Sequence, residues 1–203
     1  EEIFMKKLVT GVVLLGVLLS STAFASPLAK IEQGKGKIDA AVSIAPGMKE
    51  DGHDLDGKTR YRFGATYGIS DNLGLDYLYA ANAGDNDSSV QSHQINLLYQ
   101  FNPYVAGFGG FVWNKFKMNS YGDDTTNGYQ LGLQGRYGLN DKTTAWAKFG
   151  AGNTILQYEV GVGYDLTKNW EANLFYNDTK YKDFDHDVDV KTHSINLGVS
   201  YKF

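Results

Sequence analysis

The chain contains no cysteine. That excludes disulfides, thiol catalysis, cysteine-ligated zinc and a lipidated N-terminal cysteine. Four histidines in 203 residues leave few imidazole bases or ligands. Beyond residue 25 no apolar run approaches the ~18 residues of a membrane-crossing helix. A basic excess is lacking too. Lys and Arg number 19 against 23 Asp and Glu, and a pI of 5.5 argues against nucleic acid as a partner. No phosphate loop, dinucleotide fingerprint or zinc-ligand spacing occurs, so no cofactor is expected.

Glycine (24) and tyrosine (14) are abundant, and they fall in an alternating pattern. In His193 to Phe203, Ile195, Leu197, Val199, Tyr201 and Phe203 share one face, while Ser194, Asn196, Gly198, Ser200 and Lys202 share the other. Period-2 alternation of this kind specifies an amphipathic strand. The ending Tyr201-Lys-Phe203 recurs internally as Tyr67-Gly-Ile69, Tyr99-Gln-Phe101, Tyr137-Gly-Leu139 and Tyr164-Asp-Leu166, each followed by a short polar turn. The copies lie one hairpin apart, so the chain reads as hairpin repeats.

Ten strands are expected, at about 36–45, 58–69, 73–83, 90–101, 104–117, 128–139, 143–151, 154–166, 169–177 and 193–203; eight is the alternative if 143–166 holds fewer. Pro46 should end the first strand. The glycines at 107, 109 and 110 leave the facing of strand 104–117 open and suggest a bulge. Short turns alternate with longer loops, including 47–57, 118–127 and 178–189.

Residues 1–25 read as a secretory signal peptide. Met5-Lys6-Lys7 is the basic region, Leu8 to Leu19 the apolar one, and Ala23-Phe-Ala25 the cleavage site; Glu1 to Phe4 precede the start-like Met5. Residues 26–35 make a short lead and 36–203 the folded domain.

The polar face places Arg60, Arg62, Asp76, Arg136, Glu159 and Glu171 near strand middles, with Lys37, Asp39 and Lys148 beside them. Such charges suit a polar lumen better than a solvent face alternating with Tyr and Leu, as a soluble lipocalin-like barrel would require. Aromatics gather beside the short turns, as at a membrane interface. Lipid tolerates a β-protein only as a closed barrel. The expected fold is therefore an all-β, up-and-down, antiparallel transmembrane β-barrel.

The signal peptide, the Tyr-x-apolar junctions and the terminal Gly198-Val-Ser-Tyr201-Lys-Phe203 together resemble the small porin-like outer-membrane β-barrel family, which includes the OmpA-type transmembrane barrel domain. The resemblance implies a bacterial outer-membrane location and contact with outer-membrane lipid and lipopolysaccharide. It further implies periplasmic chaperones in transit, and a barrel-assembly machinery that reads the C-terminal strand through Gly198, Tyr201 and Phe203. It implies no particular activity.

Acids crowd the longer loops: Glu50, Asp51, Asp54, Asp56, Asp85, Asp87, Asp123, Asp124, Asp178, Asp183, Asp185, Asp187 and Asp189, against Lys49, Lys180 and Lys182. Asp183, Asp185, Asp187 and Asp189 share one side if extended, a weak candidate for a hard cation that takes oxygen ligands. His53 and His186 lie among aspartates, yet no catalytic set is assigned. His193 and Ser194 point to opposite faces and cannot act as base and nucleophile on one surface. His93-Gln-Ile95-Asn-Leu97 repeats the pattern of His193-Ser-Ile195-Asn-Leu197, which makes both histidines interface residues. The expected role is structural or surface-interacting, without catalysis; a narrow passive porin is the alternative, because a barrel this small is largely filled by its own side chains.

Overall fold

Eleven strands form one antiparallel sheet, and pairing of the last with the first closes it into a ring. The computed structural model describes residues 27, 30–50, 52–55, 57–58, 60–84, 88–118, 122–184 and 188–203. The signal-peptide expectation for residues 1–25 lies outside them, as do Asp51, Asp56, Asp85, Asp87, Asp185, His186 and Asp187. The strands are β1 (Gly36–Glu50), β2 (His53–Leu55), β3 (Arg60–Gly68), β4 (Leu73–Ala83), β5 (Ser89–Asn102), β6 (Val105–Met118), β7 (Gly122–Gly138), β8 (Thr143–Gly152), β9 (Ile155–Asp165), β10 (Trp170–Phe184) and β11 (Val188–Lys202). Short β2 folds back on Met48–Glu50 of β1, so the ring itself has the expected ten strands and not eight. Sequential strands are neighbours throughout, which is up-and-down topology.

Alternation decides what faces where. Along β3, Arg60, Arg62, Gly64, Thr66 and Gly68 are buried while Tyr61, Phe63 and Tyr67 are exposed. Large apolar groups cover the outside, with Leu131 68%, Phe111 64% and Tyr137 63% exposed. In water this would be a large exposed patch; against lipid it is the required surface. The outward apolar face of β7 runs from Tyr129 to Tyr137, close to the ~9–11 residues a tilted strand needs to cross hydrocarbon.

At the end carrying Phe203 and the lead, three of the tight turns are side-chain capped. The Asn102 Oδ1 accepts from the amides of Tyr104 and Val105, and the Asn140 Oδ1 from those of Lys142 and Thr143. The Thr167 hydroxyl accepts from the Asn169 and Trp170 amides. Asx and Ser/Thr turns of this kind explain why Phe101 and Leu139 are followed by Asn and Leu166 by Thr.

Three expectations change. Pro46 does not end β1; it pairs in register with Ser194 just past a bulge at Ser43/Ala45. It is tolerated because β1 leaves β3 at Val42 and meets β2 only at Met48, so no ladder hydrogen bond is demanded on that side. Second, most of the segments read as loops 118–127 and 178–189 are strand. β7 begins at Gly122, β10 continues through Phe184, and β11 starts at Val188. Third, β6 runs past Gly107, Gly109 and Gly110 without a register shift against β7; the irregularity lies at Gln100/Asn102 on β5. Its facing was hidden because Phe108, Val112 and Phe116 point inward while Lys115 and Lys117 point out.

Candidate functional site

The lumen is an enclosed chemical environment, and inward glycines decide how it is filled. A Cβ on Gly132 would collide with the Phe108 ring, and one on Gly161 would meet Phe175 Cβ at 2.5 Å and Trp146 at 2.8 Å. These two gaps admit three large inward rings.

At the end carrying Phe203, the lead enters the barrel mouth. Ile31 is buried against Leu98 and Phe108, and its amide donates to the Gln100 Oε1 at 2.7 Å. Arg136 donates to the Pro27 carbonyl at 2.6 Å, and the Gly68 amide to the Lys35 carbonyl at 2.8 Å.

Above the lead sit the charged residues singled out from the sequence. Arg62 pairs with Glu159 at 2.5 Å and lies 5.5 Å from the centre of the Phe175 ring. Asp76 accepts from the Thr66 hydroxyl (3.0 Å) and the Asn96 amide (3.2 Å) and lies 3.7 Å from Lys148. Glu171 lies between Lys202 (2.6 Å) and Arg136 (3.9 Å). Lys37 pairs with Asp39 at 2.8 Å. Of the six residues chosen, five thus join oppositely charged partners across strands; Arg60 does not. A free volume of about 30 Å³, room for a water or two, remains among Arg62, Asp76, Lys148, Glu159 and Pro27.

An amide layer follows. Gln130 donates to the Gln94 Oε1 (2.9 Å) and the Asn96 Oδ1 (2.8 Å), and Gln157 donates to the Gln130 Oε1 (2.8 Å). At the far end Met48, Val90, Val112, Phe116, Ile155, Tyr181, Phe184 and Val190 form a buried apolar cluster inside the ring. The sequence reading missed this plug. Val90, Val112, Phe116 and Ile155 lie in strands expected from the sequence, whereas Met48, Tyr181, Phe184 and Val190 lie in segments too polar overall to read as strand.

Beyond the apolar band the extended hairpins carry ion pairs on their outer faces: Lys49 with Asp54 (2.8 Å), Lys115 with Asp123 (2.7 Å), Lys180 with Asp189 (2.5 Å) and Lys191 with Asp178 (3.0 Å). Several acids read as solvated loop residues are therefore strand residues matched to lysines. Of the four candidate cation ligands, Asp189 is engaged by Lys180 and exposed Asp183 sits at φ 59°, while Asp185 and Asp187 lie outside the described residues. No group of three acidic or histidine ligands gathers among the described residues. The Asp123 carboxyl is held below the usual range by its hydrogen bond with Lys115, aided by Lys117.

His93 faces outward, where its Nδ1 meets the Tyr77 hydroxyl at 2.9 Å and its ring lies 4.8 Å from Tyr79. His193 also takes outward parity, packed over Gly47. Of the terminal set, Tyr201 stacks between Trp170 (4.9 Å) and Phe203 (6.4 Å), and Gly198 pairs with Ala41 and Asn173.

Among solved structures, the chain is similar to Neisserial surface protein A, with 16% identity over 83% of this chain and 96% of that one (TM-score 0.46). It is similar to Ail, the attachment invasion locus protein of Yersinia pestis, with 18% identity, 84% and 99% coverage and a TM-score of 0.37. The N-terminal β-barrel domain of Pseudomonas aeruginosa OprF matches at 12% identity, 84% and 98% coverage and a TM-score of 0.40. No curated protein matches the sequence. The model of the outer membrane protein beta-barrel domain matches residues 15–203, nearly the whole closed ring and its lead, and the chain belongs to that family.

Proposed function

We propose that this outer-membrane barrel is a structural and surface-interaction protein that holds paired-charge hairpins outside the bilayer, without catalysis and without a conducting lumen. The observation that carries this reading is the filling of the barrel. An apolar plug at the far end, an amide layer, matched ion pairs and the lead at the opposite mouth succeed one another along the axis. Ions crossing it would have to displace a dry cluster containing Val90, Val112 and Phe116, where desolvation is costly.

In this reading the chain is exported on a signal peptide cleaved after Ala25. Both chain ends stay on the periplasmic side, where chaperones hold the unfolded chain, and the assembly machinery takes up the strand ending in Tyr201 and Phe203. The hairpin lysines and aspartates then lie at the level of lipopolysaccharide headgroups, whose phosphates and bridging cations match both signs of charge. The narrow passive porin is the competing reading, favoured by the small cavity beside Arg62 and Glu159. Planar-bilayer recording separates the two. The purified protein is expected to give no stable single-channel steps, and steps abolished by substituting Arg62 or Glu159 would establish the pore instead.

A further inference from the structure

Among the described residues, one buried lumen charge has no ion pair. Four buried inward acids are matched: Asp39 by Lys37, Asp76 by Lys148, Glu159 by Arg62, and Glu171 by Arg136 and Lys202. Arg60 is left over. It is 2% exposed, and its Nη1 and Nη2 have no hydrogen-bond partner among the described residues. Asp178, on β10, faces outward and is held by Lys191. A buried guanidinium with no ion pair among the described residues and two unsatisfied nitrogens is a costly arrangement, and proteins relieve it with a partner.

Other orphaned groups lie beside it. The Arg62 Nε and Nη1, the Ser92 hydroxyl and the Asn114 side-chain amide are buried without partners. Register brings them together. Arg62 pairs with Ala80, Ala80 with Ser92, and Ser92 with Asn114, all pointing inward; Arg60 is two residues along β3 from Arg62, on the same face. Ala80 is the smallest side chain in this row and stands between Arg62 and Ser92. Nearly all the unpaired atoms are donors: four guanidinium nitrogens, one amide and one hydroxyl. The other orphans, Trp146 Nε1, Thr154 Oγ1 and Asn173 Oδ1, sit singly on other parts of the ring.

We infer that the lumen binds a small monovalent inorganic anion at Arg60 and Arg62, over Ala80 and beside Ser92 and Asn114. The anion supplies the missing counter-charge and the acceptors that the row lacks. It is a structural counter-ion set beneath the apolar plug, and the inference stands whether or not the barrel conducts. A divalent anion would bring more charge than the one unpaired guanidinium balances, and an organic anion would bring apolar bulk to a row of polar donors.

The test uses the full chain refolded in detergent micelles, with sodium chloride compared with sodium gluconate at equal ionic strength, and sodium bromide for anomalous diffraction. The expected result is a thermal midpoint that rises and saturates with chloride but not gluconate, and a bromide peak in contact with Arg60. Arg60→Gln should abolish the chloride dependence and melt above the wild type in gluconate, because an uncompensated charge is gone. Should Arg60→Gln fail to fold, Ala80→Leu keeps both guanidinium groups while placing bulk between Arg62 and Ser92, and should lose the chloride response. Equal midpoints in chloride and gluconate for the wild type, or a chloride response that survives either substitution, overturns the site.

Discussion

Gly36 and Phe203 exchange both backbone hydrogen bonds: the Gly36 amide donates to the Phe203 carbonyl at 2.9 Å and the Phe203 amide to the Gly36 carbonyl at 3.0 Å. The Phe203 ring covers Gly36 so closely that a Cβ there would meet it at 2.5 Å. The final residue of β11's run is therefore the latch of the ring, and Asn169 reinforces it by donating to the Lys202 carbonyl at 2.7 Å. An unclosed barrel exposes a strand edge that lipid does not tolerate. Deleting Tyr201 to Phe203 should block membrane insertion while leaving export intact. The check is heat-modifiable mobility of membrane-fraction protein; a normal folded band from the deleted chain would contradict this.

The pair Arg62 and Glu159 joins β3 to β9 across the lumen, with side chains only 8% and 6% exposed. Breaking a buried pair leaves an uncompensated charge, so Arg62→Met or Glu159→Met alone should cost about 3–5 kcal/mol. The double substitution should cost less than either single one, because both charges leave together. Urea unfolding in lipid vesicles reads this, and additive losses would show that the two residues act independently.

How much of this was legible depended on which physical signal each feature leaves in the sequence. Alternation fixed the facing of β3, β7, β9 and β11, because Tyr61, Leu131, Val160 and Leu197 must meet lipid. It failed on β6, where inward Phe108 and Phe116 and outward Lys115 and Lys117 reverse the usual sense beyond the apolar band. It also failed on the hairpin ends. Asp123 and Asp178 looked like loop residues because backbone pairing continues past the bilayer, where no hydrophobic pattern marks it. The charges of the lumen could be named, but not their partners. Arg62 and Glu159 are 97 residues apart, and only ring closure and stagger set them face to face.

The β6–β7 hairpin should loosen in acid. Asp123, outside the membrane-spanning segments, has its carboxyl lowered by the hydrogen bond from Lys115, with Lys117 also near at 3.4 Å. A carboxyl lowered in the folded state stabilises it above the unfolded value, and that contribution disappears as pH falls through the folded value. Amide protection at Lys117 and Thr125, taken relative to the unprotected rate at the same pH, should therefore fall below pH ~4, where an ordinary Asp begins to protonate. Asp123→Asn should show the lower protection at neutral pH and little further change in acid. An unaltered pH profile in that variant would remove Asp123 as the cause.

The lead tests whether the terminal mouth is sealed by packing. Ile31 is 2% exposed against Leu98 and Phe108, and its amide is fixed by Gln100. Ile31→Ala removes most of that apolar contact and should cost about 2 kcal/mol, the low end for a large-to-small core change. The ring closes through β1 and β11 and not through the lead, so heat-modifiable mobility should persist. What should change is access: limited proteolysis ought to clip the chain near Lys30 and Lys35 several-fold faster than in the wild type. If the clipping rate stays unchanged while the barrel remains folded, the hydrogen bonds from Arg136 to Pro27 and between Gly68 and Lys35 hold the lead without Ile31. In that case the seal is polar, and Gln100→Ala combined with Arg136→Ala becomes the change that opens the mouth.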